Sequence, residues 1–345
     1  MKKIKELASA NTPFFVAIGL FRPHLGLSSP EESWGYFDND EFDFHKNESY
    51  WKNTFSPNLP ALIRPNNLET SRYVQQLGTS VGSLASSGVT ETNLASDNFM
   101  SFFRHGYYAA AKFADGVVKY IVDELDSFNG QTRDNTHIII TSDHGYLLGE
   151  YNRVGKWTLM ESTTRVPLSI IPSRKLQSLY PALKVGTKVS SPVDQIDVFP
   201  TLLDMAGIPD DYQILGPEDK LPGVSLATYF NDPSAYTRSV SISEYEVFRP
   251  GRGFAYSLRS KYFRFIGFSS DKTQFLFDYR GGSYYRMVER ENIARVKKYD
   301  PVTKWFEKLL QKAIRNRDIK AWTLVKNLKP FDHDWPDIRG YVGDI

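Results

Sequence analysis

One run, Thr136-His-Ile-Ile-Ile-Thr-Ser142, constrains the fold of this chain more than any other. Seven residues dominated by β-branched side chains, with no alternation of polar and apolar positions, predict a short central strand buried on both faces. It follows a helical stretch, Phe102 to Phe128. There Phe103, Tyr107, Ala110, Phe113, Val117, Ile121 and Leu125 recur at helical spacing on one side, and Asn129-Gly130 ends the pattern. A second strand bounded by prolines is predicted over Arg165 to Pro172. A helix follows over Asp194–Ala206, stopped by Gly207 and Pro209. Strands alternating with helices predict an α/β sheet covered by helices on both faces.

From about Ser239 the pattern changes. Ser239–Tyr245, Phe254–Arg259, Lys261–Phe268 and Gln274–Asp278 read as closely spaced strands, and Val302 to about Asn316 as an amphipathic helix. This predicts a small antiparallel subdomain, placing one domain over 1–235 and a second over 236–345. With 345 residues, 41% of them hydrophobic, the chain can bury a substantial core.

The amino end reads as the last turns of a helix (Ile4 to Ala10), a loop at Asn11-Thr12-Pro13 and a buried strand at Phe14–Leu20. A secretory leader is a poorer reading, because Glu6 interrupts the basic region and the apolar run is only seven residues. A chain that opens on the end of a helix is expected to be part of a longer protein, with Met1 internal. The polar stretch from Arg22 to about Asp97 predicts a long loop of the kind that builds binding faces.

Charge narrows the partners. With 42 basic against 40 acidic residues and no sustained basic run, neither nucleic acid nor an anionic membrane is the expected partner. No segment approaches the roughly 20 apolar residues of a membrane-spanning helix. The absence of cysteine removes disulfides, thiolate metal sites and a cysteine nucleophile.

Candidate chemistry begins where the strand at 136–142 ends. Asp143-His144-Gly145 follows it directly, at the carboxyl end of a strand where open α/β sheets bind ligands. Aspartate offers a hard oxygen suited to Ca²⁺ or Mg²⁺. The imidazole can donate to an anion or border a metal, and glycine permits a sharp turn. Taken alone, the tripeptide also reads as an ordinary turn with a helix cap. Lys156 could supply a point charge to an oxyanion, or be a solvated surface lysine.

Together, Ser142-Asp143-His144-Gly145-x-x-x-Gly149-Glu150, Lys156 and Thr164-x-Val166-Pro167 resemble the second half of the sulfatase signature region. Arg22-Pro23-His24 resembles the Lys/Arg-Pro-His element of that family. The run Asp194-x-x-Asp197 through Gly207 is similar to its next core helix, and Leu221 to Leu226 continues the match. The strand Tyr256 to Arg259 resembles the small carboxy-terminal sheet of iduronate-2-sulfatases. The resemblance covers most of residues 1–268 and implies an alkaline-phosphatase-like fold.

The resemblance also implies roles. Asp143 would be a Ca²⁺ ligand, with His144 as ligand or sulfate contact. His24 and Lys156 would touch the sulfate ester, one of them helping to protonate the leaving oxygen. Tyr146 would face the sugar. Arg252 would be a uronic acid carboxylate contact, although a surface arginine is an equal reading. The substrate would be a sulfated uronic-acid sugar of a glycosaminoglycan, and the setting lysosomal or secreted, to which the glycosylation triplet Asn47-Glu48-Ser49 adds a little.

Departures from the family are concentrated in what should lie upstream. The Cys- or Ser-x-Pro-Ser-Arg element whose first residue becomes formylglycine is absent, as are the paired aspartates that complete the Ca²⁺ site. Tyr151 stands where a histidine is usual. By itself the chain is expected to be inactive, needing a missing segment or a separate chain. Two other readings stay open. One is a phosphodiester or phosphonate hydrolase of the same superfamily, although the histidines (24, 45, 105, 137, 144 and 333) form no spaced pair for two transition metals. The other is a truncated, non-catalytic homologue that binds sulfated glycans.

Overall fold

In a computed structural model, the described residues are 2–10, 12–37, 97–128, 130–150, 154–184, 186–208, 221, 223–235, 238–246, 253–270, 272–280, 289 and 291–315. Arg252, Tyr151 and the Asn47–Ser49 triplet lie outside them. The chain divides into two compact units, residues 1–176 and 177–345, so the division falls upstream of position 235, where the sequence pattern placed it.

The first unit holds helices α1 (Lys2–Ser9), α2 (Glu31–Gly35), α3 (Asp97–Phe128) and α4 (Gly130–Asp134). Strands β1 (Ile138–Thr141), β2 (Leu147–Leu148) and β3 (Val154–Gly155) follow, then α5 (Glu161–Thr164) and β4 (Leu168–Ile171). Helix α6 (Arg174–Ser178) runs across the division. Strand β1 pairs antiparallel with β4, from Ile138 opposite Ile171 to Thr141 opposite Leu168. Its ends are clipped: His137 Nδ1 accepts the amide of Ser173 at 3.0 Å, and Arg174 bonds Asp126 of α3 at 2.9 Å and Asp134 of α4 at 3.3 Å.

Two expectations are corrected here. Strand β1 is half-buried rather than enclosed on both faces, because β4 is its one partner among the described residues. Residues 14–20 form no strand, and most of their apolar side chains are exposed. An apolar run is buried only where a neighbouring surface covers it. Phe113, expected inside, is also exposed on α3, whereas Phe103, Ala110 and Leu125 are buried.

The second unit begins with a 3₁₀ turn at Gln195–Asp197 that runs into α7 (Val198–Met205), followed by α8 (Thr228–Asn231). A four-stranded antiparallel meander follows: β5 (Ser241–Glu246), β6 (Phe254–Arg259), β7 (Phe263–Phe268) and β8 (Gln274–Asp278). Helix α9 (Asp300–Arg315) buries Val302, Phe306, Leu309, Leu310 and Ala313, an i, i+4, i+7, i+8, i+11 stripe. Phe306 stacks on Phe265 of β7 at 5.6 Å, and Leu310 sits over Gly267, where a Cβ would lie 2.4 Å from its methyl. These strands and helix α9 match the sequence expectation closely.

A buried charge cluster anchors this unit. The Arg238 guanidinium reaches both Asp194 and Asp197, and Ser241 also bonds Asp194. Asp197 accepts the amides of Asp194 at 2.8 Å and Val224 at 2.7 Å, tying the 223–226 segment to the start of α7. Two carboxylates share one guanidinium, so the cluster carries surplus negative charge. Burial, together with the neighbouring Asp197 charge, outweighs Arg238 and pushes the Asp194 carboxyl up to about 6. A raised carboxyl favours the folded state below its unfolded pKa and loses that benefit as pH rises through the folded value. Lowering pH from 7.5 to 5 should therefore strengthen the second unit by about 1 kcal/mol. Hydrogen exchange of β5–β8 in urea reads this out; Asp194→Asn should abolish the gain. Arg238→Leu, which strands two buried carboxylates, should cost about 3–5 kcal/mol in the same assay.

Candidate active site

One turn of α3 supports two site-bearing segments. His105 Nε2 bonds the carbonyl of Trp34 at 2.8 Å, and the two rings stack at 4.4 Å. A Cβ at the next residue, Gly106, would sit 3.4 Å from both Leu27 and Trp34, so that stretch packs close to the helix. This holds the turn carrying His24, whose amide donates to the carbonyl of Phe21 at 3.0 Å after a cis Arg22–Pro23 peptide. Arg22 closes the turn by donating to the carbonyl of Ser28 at 2.7 Å.

The neighbouring α3 residues face the second segment. Tyr107 stacks on Tyr146 at 5.9 Å with the rings 26° apart, and Phe103 lies 6.4 Å from Tyr146. Burial pushes the Tyr107 phenol up to about 12, with the charges of Glu150 and Asp143 acting in the same direction. Tyr107 thus lies within the electrostatic reach of Asp143.

Gly145 welds the Asp143-His144 turn to α5. Its amide donates to the carbonyl of Thr163 at 2.8 Å, and a Cβ here would lie 2.1 Å from the carbonyl oxygen of Ser162. Only glycine permits that approach. Thr163 is held in turn, its hydroxyl donating to the carbonyls of Thr158 and Met160, each at 2.9 Å.

Asp143 projects into solvent, its side chain 81% exposed. Burial works to raise its carboxyl, but the amide and ring of His144 and the Ser142 hydroxyl outweigh this and hold it below its ordinary value. His144 Nδ1 lies 2.9 Å from the carbonyl of Gly145, which assigns the proton to Nδ1. Its Nε2 lies 3.4 Å from Asp143 Oδ2.

The hairpin β2–β3 connects this pair to Lys156. Leu147 is opposite Gly155 and Leu148 opposite Val154, so the next opposed positions are Tyr146 and Lys156. Lys156 Nζ lies 3.4 Å from His24 Nε2, across 132 residues of sequence. The structure therefore joins His24 to Lys156, sets Lys156 across the hairpin from Tyr146, and places Tyr146 two residues after His144. Glu150 sits at the hairpin tip, accepting the amide of Leu148 at 2.6 Å; burial raises its carboxyl, opposed by that bond and the Arg104 charge.

Sequence reasoning missed Tyr107 as a neighbour of the site and His105 as its support. At helical spacing Tyr107 reads as helix core, and nothing in that spacing separates the two roles.

Calcium fits the described residues poorly. They offer Asp143 as a lone carboxylate beside His144, and among them no group of three or more His, Cys, Asp or Glu is arranged to hold a metal. A Ca²⁺ ion takes about six to eight oxygens.

A family model described as Sulfatase matches residues 1–208. A sulfatase of Formosa agariphila is 30% identical over 196 residues, which is 57% of this chain and 33% of that protein. Mouse iduronate 2-sulfatase is 25% identical over 230 residues, 61% of this chain and 38% of that protein. The chain thus spans about a third of the length of the curated relatives it matches. Among solved structures, a phosphonate monoester hydrolase of Agrobacterium radiobacter superposes with TM-score 0.61 at 23% identity, over 90% of this chain and 58% of that one. That likeness establishes the alkaline-phosphatase-like fold.

Gly145→Ala should force the 143–146 turn off α5, costing about 1–3 kcal/mol in chemical denaturation. Amide exchange at Gly145 and Tyr146 should accelerate more than in β5–β8.

Proposed function

The chain belongs to the sulfatase family, and we propose that its site binds the sulfate group of a sulfated uronic-acid sugar for ester hydrolysis. The contact between Lys156 and His24 is the observation that carries this reading. An ammonium beside an imidazole supplies one positive charge, several N–H donors and a movable proton, which suits a tetrahedral oxyanion. Lys156 holds an ester oxygen by charge. When a nucleophile supplied from outside these residues attacks sulfur and the S–O bond to the sugar breaks, a proton passed from the pair to the departing oxygen yields the leaving alcohol and leaves the pair uncharged.

Tyr146, braced by Tyr107, offers a ring face to the sugar next to the anion site. Asp143 and His144 remain the proposed members of a cation site. Mouse iduronate 2-sulfatase is among the relatives, which supports the choice of a uronic-acid sulfate and a lysosomal or secreted setting. No helix among the described residues is long and apolar enough to cross a membrane. Arg252 remains a proposed carboxylate contact.

A second reading, hydrolysis of a phosphonate or phosphodiester, is favoured by the fold shared with the phosphonate hydrolase. Calorimetry separates the two. A 2-O-sulfated uronic disaccharide should bind the chain, and His24→Ala or Lys156→Ala should weaken binding at least about tenfold, the effect of one lost charge-assisted contact. Tighter binding of a phenylphosphonate ester would favour the second reading. With no Cys- or Ser-x-Pro-Ser-Arg element in the sequence, the chain alone should show no arylsulfatase turnover.

A further inference from the structure

Glu150 stands beside the site but takes no part in the chemistry proposed above. It lies in the loop between β2 and β3, and its carboxylate turns back to accept the amide of Leu148 at 2.6 Å together with its own backbone amide. Gly149, between the two, takes φ 118°, a left-handed conformation open to glycine, which lets the chain reverse there. Two residues of α3 face the same carboxylate. Burial raises the Glu150 carboxyl, and the charge of Arg104 works against this alongside the two amides. Burial likewise raises the Tyr107 phenol, and the charge of Glu150 adds to it. Arg104 and Tyr107 are three residues apart and so share one side of the helix. A desolvated carboxylate is costly unless hydrogen bonds and an opposite charge match it. Here the matching groups come from the hairpin and from α3 together, so moving one off the other would strand the charge.

We propose that Glu150 is a positioning residue: its carboxylate ties the β2–β3 hairpin to α3 and so sets Lys156 against His24. Its value for binding rests on the reading of that pair as the anion seat. The hairpin has two residues in each strand, too short a ladder to fix its own place. Leu147, Leu148 and Val154 are buried, but apolar burial is non-directional and leaves the hairpin free to slide. A carboxylate with two acceptor oxygens supplies the direction. Tyr146 and Lys156 continue the strands away from the tip, where the stack of Tyr146 on Tyr107 holds the other end. His24 is set from the same turn of α3, because His105, next to Arg104, bonds the carbonyl of Trp34. Both members of the pair are therefore referenced to one piece of helix.

Nuclear magnetic resonance and calorimetry on the full chain test this. In the wild type the ε-methylene of Lys156 and the ring of His24 should give a nuclear Overhauser cross-peak. Glu150→Gln, which keeps an acceptor for the Leu148 amide, should retain it. Glu150→Ala should lose it with an unchanged circular dichroism spectrum, and should weaken binding of the 2-O-sulfated uronic disaccharide about tenfold. Where alanine unfolds the chain, Glu150→Asp, too short to span the same partners, should show the same loss. Added to Lys156→Ala, Glu150→Ala should weaken binding by no more than a further factor of about two, because it acts through that lysine. Three results would overturn the proposal: a Glu150→Ala chain that keeps the cross-peak, a Glu150→Gln chain that loses it, or losses that multiply in full with Lys156→Ala. A wild type that shows the cross-peak but does not bind the disaccharide would refute the sulfate reading, and the cross-peaks of the variants would still decide the role of Glu150.

Discussion

The candidate site hangs from a single turn of α3. His105 and Gly106 fix the segment that leads from His24 to Trp34, while Phe103 and Tyr107 pack on Tyr146 just after the Asp143-His144 pair. Adjacent positions on a helix point in different directions, so one rigid turn can hold two loops at a set separation. Between residues 24 and 156 themselves lies a 3.4 Å contact of two polar side chains. Such a contact is too weak to order two loops by itself.

Two short-range devices finish the arrangement. The missing side chain at Gly145 lets its turn press against α5, and the β2–β3 hairpin returns the chain so that Lys156 emerges opposite Tyr146. Neither device touches an anion. Each removes conformational freedom before binding, so that the charged groups need not lose it when a ligand arrives.

Much of the second unit was legible in the sequence because its information is local. Strands β6–β8 follow one another after short breaks, and α9 carries an apolar stripe, so period and punctuation suffice. The Phe14–Leu20 segment shows the opposite case. Its apolarity is that of an inner strand, but what lies beside a strand is not written in the strand itself. The same holds at Tyr107, where helical spacing cannot tell a core ring from one that braces a site. The approach of His24 to Lys156 was legible only through family resemblance, since no periodicity links positions 132 apart. Arg252 fell outside the described residues altogether.

The central claim is that His24 and Lys156 form the seat of a tetrahedral oxyanion. Crystals of the chain grown with selenate, located by its anomalous scattering, test this most directly. The account predicts selenate oxygens about 3 Å from both Lys156 Nζ and His24 Nε2. Ordered selenate elsewhere, with that pair bare or turned apart, would contradict it.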